Sequence, residues 1–352
     1  MSNEFIFYGI GKIPNPWYVM AKQYVEDGGG KVIFCTDTNK SLWDGKDFLP
    51  PEEIKKYPDA IIVLFCAPLK ALKKRFEDAG IHNELKIHPR FSFYFVCDTQ
   101  KNNNQKKILA WYKEHKKHIE ALFQTDDATT KYMLKQIDYE RTLPSYAFMD
   151  YKNYVSDEYD FSHTKHYFSD KTLIKENDFT FIDGGGYIGD SFLTMAKDHP
   201  SHLKKVYAFE PDISNLTKYS NEAKNWENQI PIVFIKKGLW SKTTTLHFSQ
   251  NGMMGKIDDE GEISLDVTTI DETVKDVVGD LYIKMDVEGS EIEALKGSVK
   301  TIQKYKPYLQ ICLYHKMADI YDIPALIKSI SSEYTFYLRE GTHPEVLAVP
   351  PR

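Results

Sequence analysis

Residues 179–192 read FTFIDGGGYIGDSF, and they combine a short apolar segment with three glycines in the spacing GxGxxG. The apolar segment ends at Asp183, and the glycines follow directly as Gly184, Gly186 and Gly189. Glycine suits a turn between a strand and a helix because a side chain there would collide with a ligand lying against the backbone. The pattern predicts a buried strand, a ligand-binding turn and a helix within an α/β fold.

A second strand-like segment, residues 206–212 with the sequence VYAFEPD, places Glu210 at its end. A carboxylate at this point of an α/β sheet can accept hydrogen bonds from two ribose hydroxyls. The two segments together indicate a cofactor that contains adenosine, and they fit nicotinamide cofactors, flavins and S-adenosylmethionine alike. Asp212 is equally consistent with an ordinary N-terminal cap of the following helix.

Asp183 distinguishes among these cofactors. A carboxylate directly before the glycines disfavours the anionic pyrophosphate of a dinucleotide, whereas it favours the cationic amine of a methionine moiety. The sequence therefore predicts S-adenosyl-L-methionine as the cofactor. A nicotinamide-dependent oxidoreductase is the competing interpretation.

Two further strand-like segments end in side chains that can take part in chemistry. Residues 281–297, LYIKMDVEGSEIEALKG, contain Asp286, Glu288 and Glu291 after an apolar run, and residues 308–316, YLQICLYHK, contain His315 near their end. In open α/β sheets the ligand lies outside the carboxyl ends of the strands. We therefore expect Asp286, Glu288 and His315 to share one rim of the sheet with Asp183 and Glu210.

An alcohol that accepts a methyl group must lose its proton, and His315 is the expected general base because histidine titrates near neutrality. Asp286 or Glu288 would orient the imidazole ring. The alternative interpretation is structural: the carboxylates cap the following helix, and His315 only bonds across strand ends. Two carboxylates and one histidine could also ligate a divalent cation. The prediction made from the sequence is that the site holds no metal.

The segments FIDGGGYIGDS, AFEPD, IKMDVEGSE, LYHK and FYLREGTHPEVLAVP resemble the FkbM family of S-adenosylmethionine-dependent methyltransferases over residues 165–350. IKMDVEGSE is the most specific of these segments, because generic Rossmann domains lack carboxylates in this order. The resemblance implies an α/β fold with a seven-stranded, Rossmann-like methyltransferase sheet. That sheet is mostly parallel and ends in an antiparallel hairpin, here at residues 334–339 and 345–349.

The resemblance also implies roles for individual residues. Carried over by position, Asp183, Gly184, Gly186 and Gly189 line the methionine end of the cofactor, Glu210 the ribose, and Gly238, Leu239 and Trp240 the adenine side, with Asp190, Ser191 and Pro211 as further cofactor contacts. Relatives of this kind resemble O-methyltransferases. The implied function is O-methylation of a hydroxyl on a sugar, a glycan precursor or a related small metabolite.

Three apolar runs near the N-terminus predict the parallel strands of a second, smaller Rossmann-like α/β domain. These runs are residues 4–8, 31–36 and 59–66. Gly9 and Gly11 match a glycine turn, although Pro14 replaces the third glycine. The region resembles units attached to bacterial glycan-modifying enzymes. It either binds a nucleotide or nucleotide sugar, or it is a docking module without ligand that allows a homodimer.

Between these two regions the spacing of apolar residues becomes that of helices. Apolar residues recur three or four apart from Ile108 to Phe123, which is typical of an amphipathic helix, and Asp126 or Asp127 could cap a second one. We predict three parts: an N-terminal Rossmann-like domain at residues 1–100, a helical bridge with a loop-rich segment at 101–164, and an FkbM-type methyltransferase domain at 165–352.

Composition limits the remaining functional classes. The net charge of −6 provides no basic excess for a nucleic-acid backbone or an anionic membrane surface. No apolar stretch approaches the length that crosses a bilayer, and no basic segment precedes the short apolar run at the N-terminus. We expect a cytoplasmic protein with no nucleic-acid partner and no membrane span. A catalytically silent scaffold that binds a nucleotide sugar stays open as a third interpretation.

Overall fold

The computed structural model describes residues 3–13, 16–66, 69–88, 105–142, 148–154, 167–248, 263–340 and 344–351. Contacts within the chain divide it into two compact units. The first comprises residues 1–113 with 134–164, and the second comprises residues 114–133 with 165–352. Each unit contains its own sheet. The three-part division expected from the sequence stays a prediction.

The first unit is a small α/β sheet. Its strands are β1 (Glu4–Tyr8), β2 (Lys31–Thr36), β3 (Ile61–Leu64), β4 (Leu85–Ile87) and β5 (Met149–Asp150), and its helices include α1 (Pro16–Asp27) and α2 (Leu69–Asp78). The strand order is β2-β1-β3-β4-β5. The first four strands are parallel, whereas β5 is antiparallel to β4. The smaller Rossmann-like α/β sheet predicted from the three apolar runs is therefore confirmed.

Hydrophobic cores cover both faces of this sheet. Ile6 and Tyr8 pack into one cluster, while Phe7 packs into the other, because successive side chains of a strand point to opposite faces. Val63 in β3 shares the cluster of Phe7. A strand that is buried on both faces needs a continuous apolar run, which is what these segments contain.

Two helices follow, α3 (Gln105–Leu122) and α4 (Ala128–Thr142). Asp127 caps the second of them, because its Oδ1 accepts a hydrogen bond of 2.8 Å from the backbone N–H of Thr130. Asp127 also binds Arg339, a buried residue near the C-terminus whose guanidinium reaches Asp170 at 2.7 Å as well. Two carboxylates therefore hold this guanidinium within the second unit.

The second unit contains a seven-stranded sheet. Its strands are β6 (Phe179–Gly184), β7 (Leu203–Phe209), β8 (Ile232–Ile235), β12 (Asp280–Met285), β13 (Tyr308–Cys312), β14 (Thr335–Glu340) and β15 (Pro344–Val349). The order is β14-β15-β13-β12-β6-β7-β8, and β15 is antiparallel to both of its neighbours. The predicted mostly parallel, seven-stranded sheet with a C-terminal antiparallel hairpin is confirmed.

A second, three-stranded sheet is formed by β9 (Gly238–Leu239), β10 (Thr244–Phe248) and β11 (Ile263–Thr268). The helices of the unit are α5 (Asp190–Asp198), α6 (Ile213–Ala223), α7 (Ile270–Thr273), α8 (Glu291–Lys296), α9 (Val299–Tyr305) and α10 (Asp319–Ile330). The core of the unit is rich in aromatic rings, among them the stacked pair Phe179 and Tyr282 with centroids 4.1 Å apart.

The order of the strands determines where a ligand can lie. β6 is flanked by β7 on one side and β12 on the other, so the winding of the chain reverses at this strand. Gly184 at the end of β6 lies level with Phe209 of β7 and Met285 of β12. Open α/β sheets bind ligands at such a reversal, outside the carboxyl ends of the strands. In the described parts of the chain, no helix is long and apolar enough to cross a membrane.

Candidate functional site

The turn after β6 leaves no space for side chains at its glycines. A Cβ on Gly184 would lie 2.8 Å from Leu239 Cδ1, and one on Gly186 would lie 2.7 Å from the ring of Tyr219. Gly189 has φ +89° and is also closed off by the Tyr219 ring, at 2.6 Å. The protein itself therefore requires these glycines, in addition to any ligand that covers the turn.

Gly185 has the least space of the turn, although it lies outside the GxGxxG spacing. Its φ is +75°, and a Cβ there would come within 1.8 Å of the carbonyl oxygen of Asp286. The turn after β6 is thus packed directly against the turn after β12. Three consecutive glycines in the motif were the available signal of this contact.

Gly185→Ala is expected to destabilise the second unit by about 1–3 kcal/mol more than Gly289→Ala. Both glycines have positive φ, so both variants carry the cost of a left-handed backbone. At Gly289, however, the nearest atoms to a new Cβ belong to side chains, at 3.5 Å and beyond. Denaturant unfolding of the two variants measures the difference, and equal losses would contradict the close approach to Asp286.

Four backbone N–H groups of the turn donate hydrogen bonds to acceptors within the protein. Gly185 and Gly186 both donate to the carbonyl of Phe209, at 3.1 and 3.0 Å, and Gly189 donates to the carbonyl of Gly186 at 2.8 Å. Tyr187 donates to Glu210 Oε2 at 2.9 Å. A pyrophosphate binds to such turns through backbone N–H groups, so this turn is poorly suited to a dinucleotide.

Asp183 is fully buried and has two protein partners. Tyr219 donates its hydroxyl to Oδ2 at 3.0 Å, and the ammonium of Lys284 lies 3.2 Å from Oδ1. Lys284 is itself only 3% exposed and donates to the carbonyl of Gly185 at 2.7 Å. Burial lowers the pKa of Lys284, but the charges of Asp183 and Asp286 raise it above its ordinary value. Burial raises the pKa of Asp183, while the charge of Lys284 and the hydroxyl of Tyr219 lower it. Lys284 is therefore charged, and its ammonium favours the carboxylate form of Asp183.

This geometry changes the expected electrostatics at the end of β6. From the sequence, Asp183 was expected to be a lone negative charge beside the cofactor. In the structure, Lys284 compensates that charge, and the pair holds the β6 and β12 turns together. Asp183 contributes through the shape of the turn, and the cofactor contact expected from the sequence stays a prediction.

Glu210 lies just beyond the end of β7 and is 7% exposed. Its Oε2 accepts from Tyr187 N, and its Oε1 accepts from Asp212 N at 2.9 Å. Burial raises the pKa of Glu210, while these hydrogen bonds lower it. Asp212 caps α6 by accepting from the backbone N–H groups of Ser214 and Asn215, as one of its two sequence interpretations predicts.

The other residues expected at the cofactor lie around the same edge. Gly238 and Leu239 form β9, and Trp240 follows it with its N–H bonded to the carbonyl of Thr268 at 2.9 Å. Leu239 is buried, and its side chain faces Gly184. Asp190 and Ser191 begin α5, the first exposed and the second buried, and Pro211 follows Glu210. Leu239 thus connects the predicted adenine side to the glycine turn.

Asp286, Glu288 and His315 come together beyond the ends of β12 and β13. His315 Nε2 lies 3.4 Å from Glu288 Oε2 and 3.6 Å from Asp286 Oδ1. Asp286 also accepts from the hydroxyl of Tyr314 at 2.9 Å. Glu288 has φ +55° and its side chain is 78% exposed, whereas His315 is buried. Strained residues of this kind concentrate at functional sites. These three residues are called the rim cluster below.

Glu291 is the nearest carboxylate to the imidazole, yet the sequence argument gave it no role. Its Oε1 lies 2.9 Å from His315 Nδ1, and Glu291 is only 1% exposed. The same oxygen accepts from the backbone N–H groups of Val287 and Gly289. A carboxylate three residues after Glu288 at the start of a helix was the available signal. Glu291 therefore orients both the ring and the loop that carries Glu288.

The surroundings of His315 shift its pKa away from the value that the sequence prediction used, and its role as general base stays a prediction. Burial lowers the pKa of the imidazole, but the contacts with Glu288 and Glu291 and the charges of Glu291 and Asp286 raise it to about 10. These contacts favour the imidazolium, the form of the ring that cannot accept a proton. The sequence argument used the ordinary pKa of histidine and could not include three carboxylates that surround one ring.

Residues 183–338 match the family model described as the methyltransferase FkbM domain. Among solved structures, the chain is similar to the methyltransferase FkbM from Methylobacillus flagellatus KT, with 19% identity, a TM-score of 0.64, and coverage of 99% of this chain and 90% of that chain. This likeness shows a shared fold along the whole chain.

Weaker similarity extends over half of the chain. A SAM dependent methyltransferase from Aquifex aeolicus is 10% identical over 51% of this chain and 85% of that chain, with a TM-score of 0.28. The magnesium protoporphyrin IX methyltransferase ChlM from Synechocystis PCC 6803 with bound SAM is 13% identical over 50% of this chain and 72% of that chain, also with a TM-score of 0.28. No curated protein matches the sequence.

Proposed function

Residues 183–338 are a methyltransferase FkbM domain, and from this premise we propose that the chain transfers a methyl group from S-adenosyl-L-methionine to a hydroxyl oxygen. The proposed acceptor is a sugar, a glycan precursor or a related small metabolite. The observation that carries the proposal is the position of the rim cluster, which lies beyond the carboxyl ends of β12 and β13, next to the strand that leads into the glycine turn.

The residues at the glycine turn fit the cofactor. At Gly184, Gly185 and Gly186 the neighbouring protein atoms leave no space for side chains. Glu210 is held in one orientation by two backbone donors, and each carboxylate oxygen can accept more than one hydrogen bond. A ribose diol is a matching pair of donors. We assign Leu239 and Trp240 to the adenine side, as the resemblance implies.

When bound, S-adenosyl-L-methionine supplies an electrophilic methyl group on a sulfonium. The residues of this chain hold the acceptor close to that group and take up the acceptor's proton. Positioning of this kind accounts for up to about 7–11 kcal/mol of a barrier. The paired Asp183 and Lys284 keep the β6 and β12 turns in register, so that the two ends of the site keep a constant separation.

Glu288 is the member of the rim cluster that can meet an acceptor, because its side chain is 78% exposed and the others are less exposed. We assign proton acceptance to its carboxylate. The buried imidazole of His315 lies 3.4 Å from that carboxylate through Nε2 and positions it. This assignment reverses the ranking made from the sequence, in which His315 was the base and Glu288 its partner.

A hydroxyl-rich acceptor also fits the donor and acceptor pattern of the rim. Ionised carboxylates only accept hydrogen bonds, and Asp286 and Glu288 both present them here. Sugars and their precursors offer several hydroxyl donors to such a surface.

Two further predictions accompany this proposal: a cytoplasmic location and a homodimer formed through the first unit.

The nicotinamide-dependent oxidoreductase is disfavoured by the consumed N–H groups at Gly185, Gly186, Tyr187 and Gly189. Measuring turnover distinguishes an enzyme from a catalytically silent scaffold that binds a nucleotide sugar. Release of S-adenosylhomocysteine across a panel of sugars, nucleotide sugars and small alcohols provides that measurement. A panel that responds only to amines would contradict O-methylation and leave methyl transfer standing.

Glu210→Gln is expected to weaken S-adenosylhomocysteine binding by about 1.5–3 kcal/mol, since it removes the charged acceptor for the ribose hydroxyls. Isothermal titration calorimetry gives the affinity directly. Asp212→Asn is the matched control, because Asp212 caps α6 two residues away and its change alters the helix end alone. If Glu210→Gln binds as tightly as the parent protein, the ribose assignment is incorrect.

A further inference from the structure

Three possible ligand atoms of the rim cluster lie close together. One oxygen of Asp286, one oxygen of Glu288 and one nitrogen of His315 all lie within 4.8 Å of one another. A small divalent cation binds its ligands at about 2.0–2.2 Å, so two ligands on one ion lie at most about 4.4 Å apart. The separations of 3.4 and 3.6 Å between the imidazole Nε2 and the two carboxylate oxygens are within this limit.

The imidazole nitrogen that faces the carboxylates is buried and lacks a satisfactory partner. His315 is 2% exposed, and neither Nε2 nor Nδ1 makes a hydrogen bond of good geometry to any described residue. The two nearby carboxylate oxygens are in contact with it but do not lie where a hydrogen bond would place them. A buried polar nitrogen in this position is costly unless something occupies the space between it and the carboxylates.

Glu291 lies beside the other ring nitrogen of His315, at the position of the carboxylate that orients a metal-binding histidine. Its buried carboxylate lies 2.9 Å from Nδ1 and is itself fixed by the backbone N–H groups of Val287 and Gly289. A carboxylate on one ring nitrogen places the proton there and directs the lone pair of the other nitrogen outward, toward a metal. Here the outward nitrogen is Nε2, and it points to Asp286 and Glu288.

We infer that Asp286, Glu288 and His315 Nε2 bind one divalent cation of the Mn²⁺ or Mg²⁺ class, with Glu291 as the group that orients the imidazole. The carboxylate oxygens suit both cations, and the imidazole nitrogen favours Mn²⁺ over Mg²⁺. Three protein ligands leave coordination positions open for water and for an acceptor oxygen. Coordination takes the place of a proton on Nε2, which is released to solvent. This differs from the sequence prediction, which placed no metal here.

The inference rests on the proposed function and extends it to the acceptor. A cation at this position would polarise a bound hydroxyl and lower its pKa, so that the proton leaves more easily. It would also select acceptors with two neighbouring oxygens, since one cation can bind both. The acceptor class is then a compound with adjacent hydroxyls or a hydroxyl beside a carbonyl.

The test is titration of the full-length chain with MnCl₂ at pH 8, followed by calorimetry and by loss of the free Mn²⁺ signal in electron paramagnetic resonance. We expect one Mn²⁺ per chain. Glu288→Gln should weaken binding at least about tenfold, and Glu291→Gln by about 10–100-fold. Glu288 is exposed, so its variant keeps the fold. Glu227→Gln, an exposed carboxylate outside the cluster, is the matched control and should bind Mn²⁺ as the parent does.

Two results would overturn the metal site: no Mn²⁺ or Mg²⁺ binding at millimolar concentration, or equal affinity in the parent protein and Glu288→Gln. A parallel titration with S-adenosylhomocysteine in the absence of metal separates this failure from failure of the proposed function. If S-adenosylhomocysteine binds and Mn²⁺ does not, the metal inference alone is wrong. If Mn²⁺ binds and S-adenosylhomocysteine does not, the metal site stands and the cofactor assignment is wrong.

Discussion

Glu288→Gln is expected to lower methyl transfer to a hydroxyl acceptor by about 10²–10⁴-fold, the usual contribution of a general base. The glutamine keeps the size of the side chain and removes its charge. Affinity for S-adenosylhomocysteine should stay within about twofold, because the proposed cofactor contacts lie at the glycine turn and at Glu210. Single-turnover rates and calorimetry on the same preparation measure the two effects.

His315→Asn provides the comparison that identifies the base. If the imidazolium only positions Glu288, the His315 variant should retain more activity than the Glu288 variant. A Glu288→Gln protein that turns over at the parent rate, beside an inactive His315→Asn protein, would restore the ranking made from the sequence. Glu227→Gln again serves as the exposed control and should keep full activity.

The seven-stranded sheet could be predicted because its strands have unmistakable sequence patterns. β6 and β12 are apolar runs that end in Asp183 and Asp286, and both are buried along nearly their full length. The hairpin at Thr335–Glu340 and Pro344–Val349 followed from the resemblance, with bounds that differ by one residue. The small β9–β11 sheet was not predicted, although β11 alternates apolar and polar residues as a strand with one exposed face does. β9 has only two residues, too few to form a pattern.

The sequence predicted which residues of the rim cluster come together, but it did not predict the charge state of His315. Strand ends brought Asp286, Glu288 and His315 together, which follows from the topology of a parallel sheet. The charge state of His315 did not follow, since it depends on how many carboxylates lie within a few ångströms and how deeply the ring is buried. Sequence gives the type of a residue, whereas distances and burial determine its pKa.

Partners buried beneath the site were missed for the same reason. Lys284 lies inside a strand, where an isolated lysine would ordinarily be assigned to an exposed position. Glu291 looked like a carboxylate in the first turn of a helix, stabilised by the helix dipole. Only the three-dimensional arrangement shows that Lys284 neutralises Asp183 and that Glu291 orients His315.

Lys284→Met is expected to destabilise the second unit by about 3–5 kcal/mol, because it leaves Asp183 as an uncompensated charge in the core. Both partners are almost fully buried, at 3% and 0% side-chain exposure, so water cannot replace the lost interaction. Hydrogen exchange of the β6 and β12 amides reports this loss locally, and calorimetric unfolding reports it for the whole unit.

The double variant Asp183→Asn with Lys284→Met tests whether the effect comes from the unpaired charge. Removing both charges removes the penalty of burying one alone, so the double variant should be more stable than Lys284→Met. Tyr219 can still donate to the asparagine carbonyl, which keeps the hydrogen bond now made to Asp183. Because the pair also holds the Gly185 turn through the Lys284 ammonium, the double variant should recover stability without recovering full affinity for S-adenosylhomocysteine. A double variant as unstable as Lys284→Met would show that the lysine acts through packing, and the ionised pair would then have no role in shaping the turn.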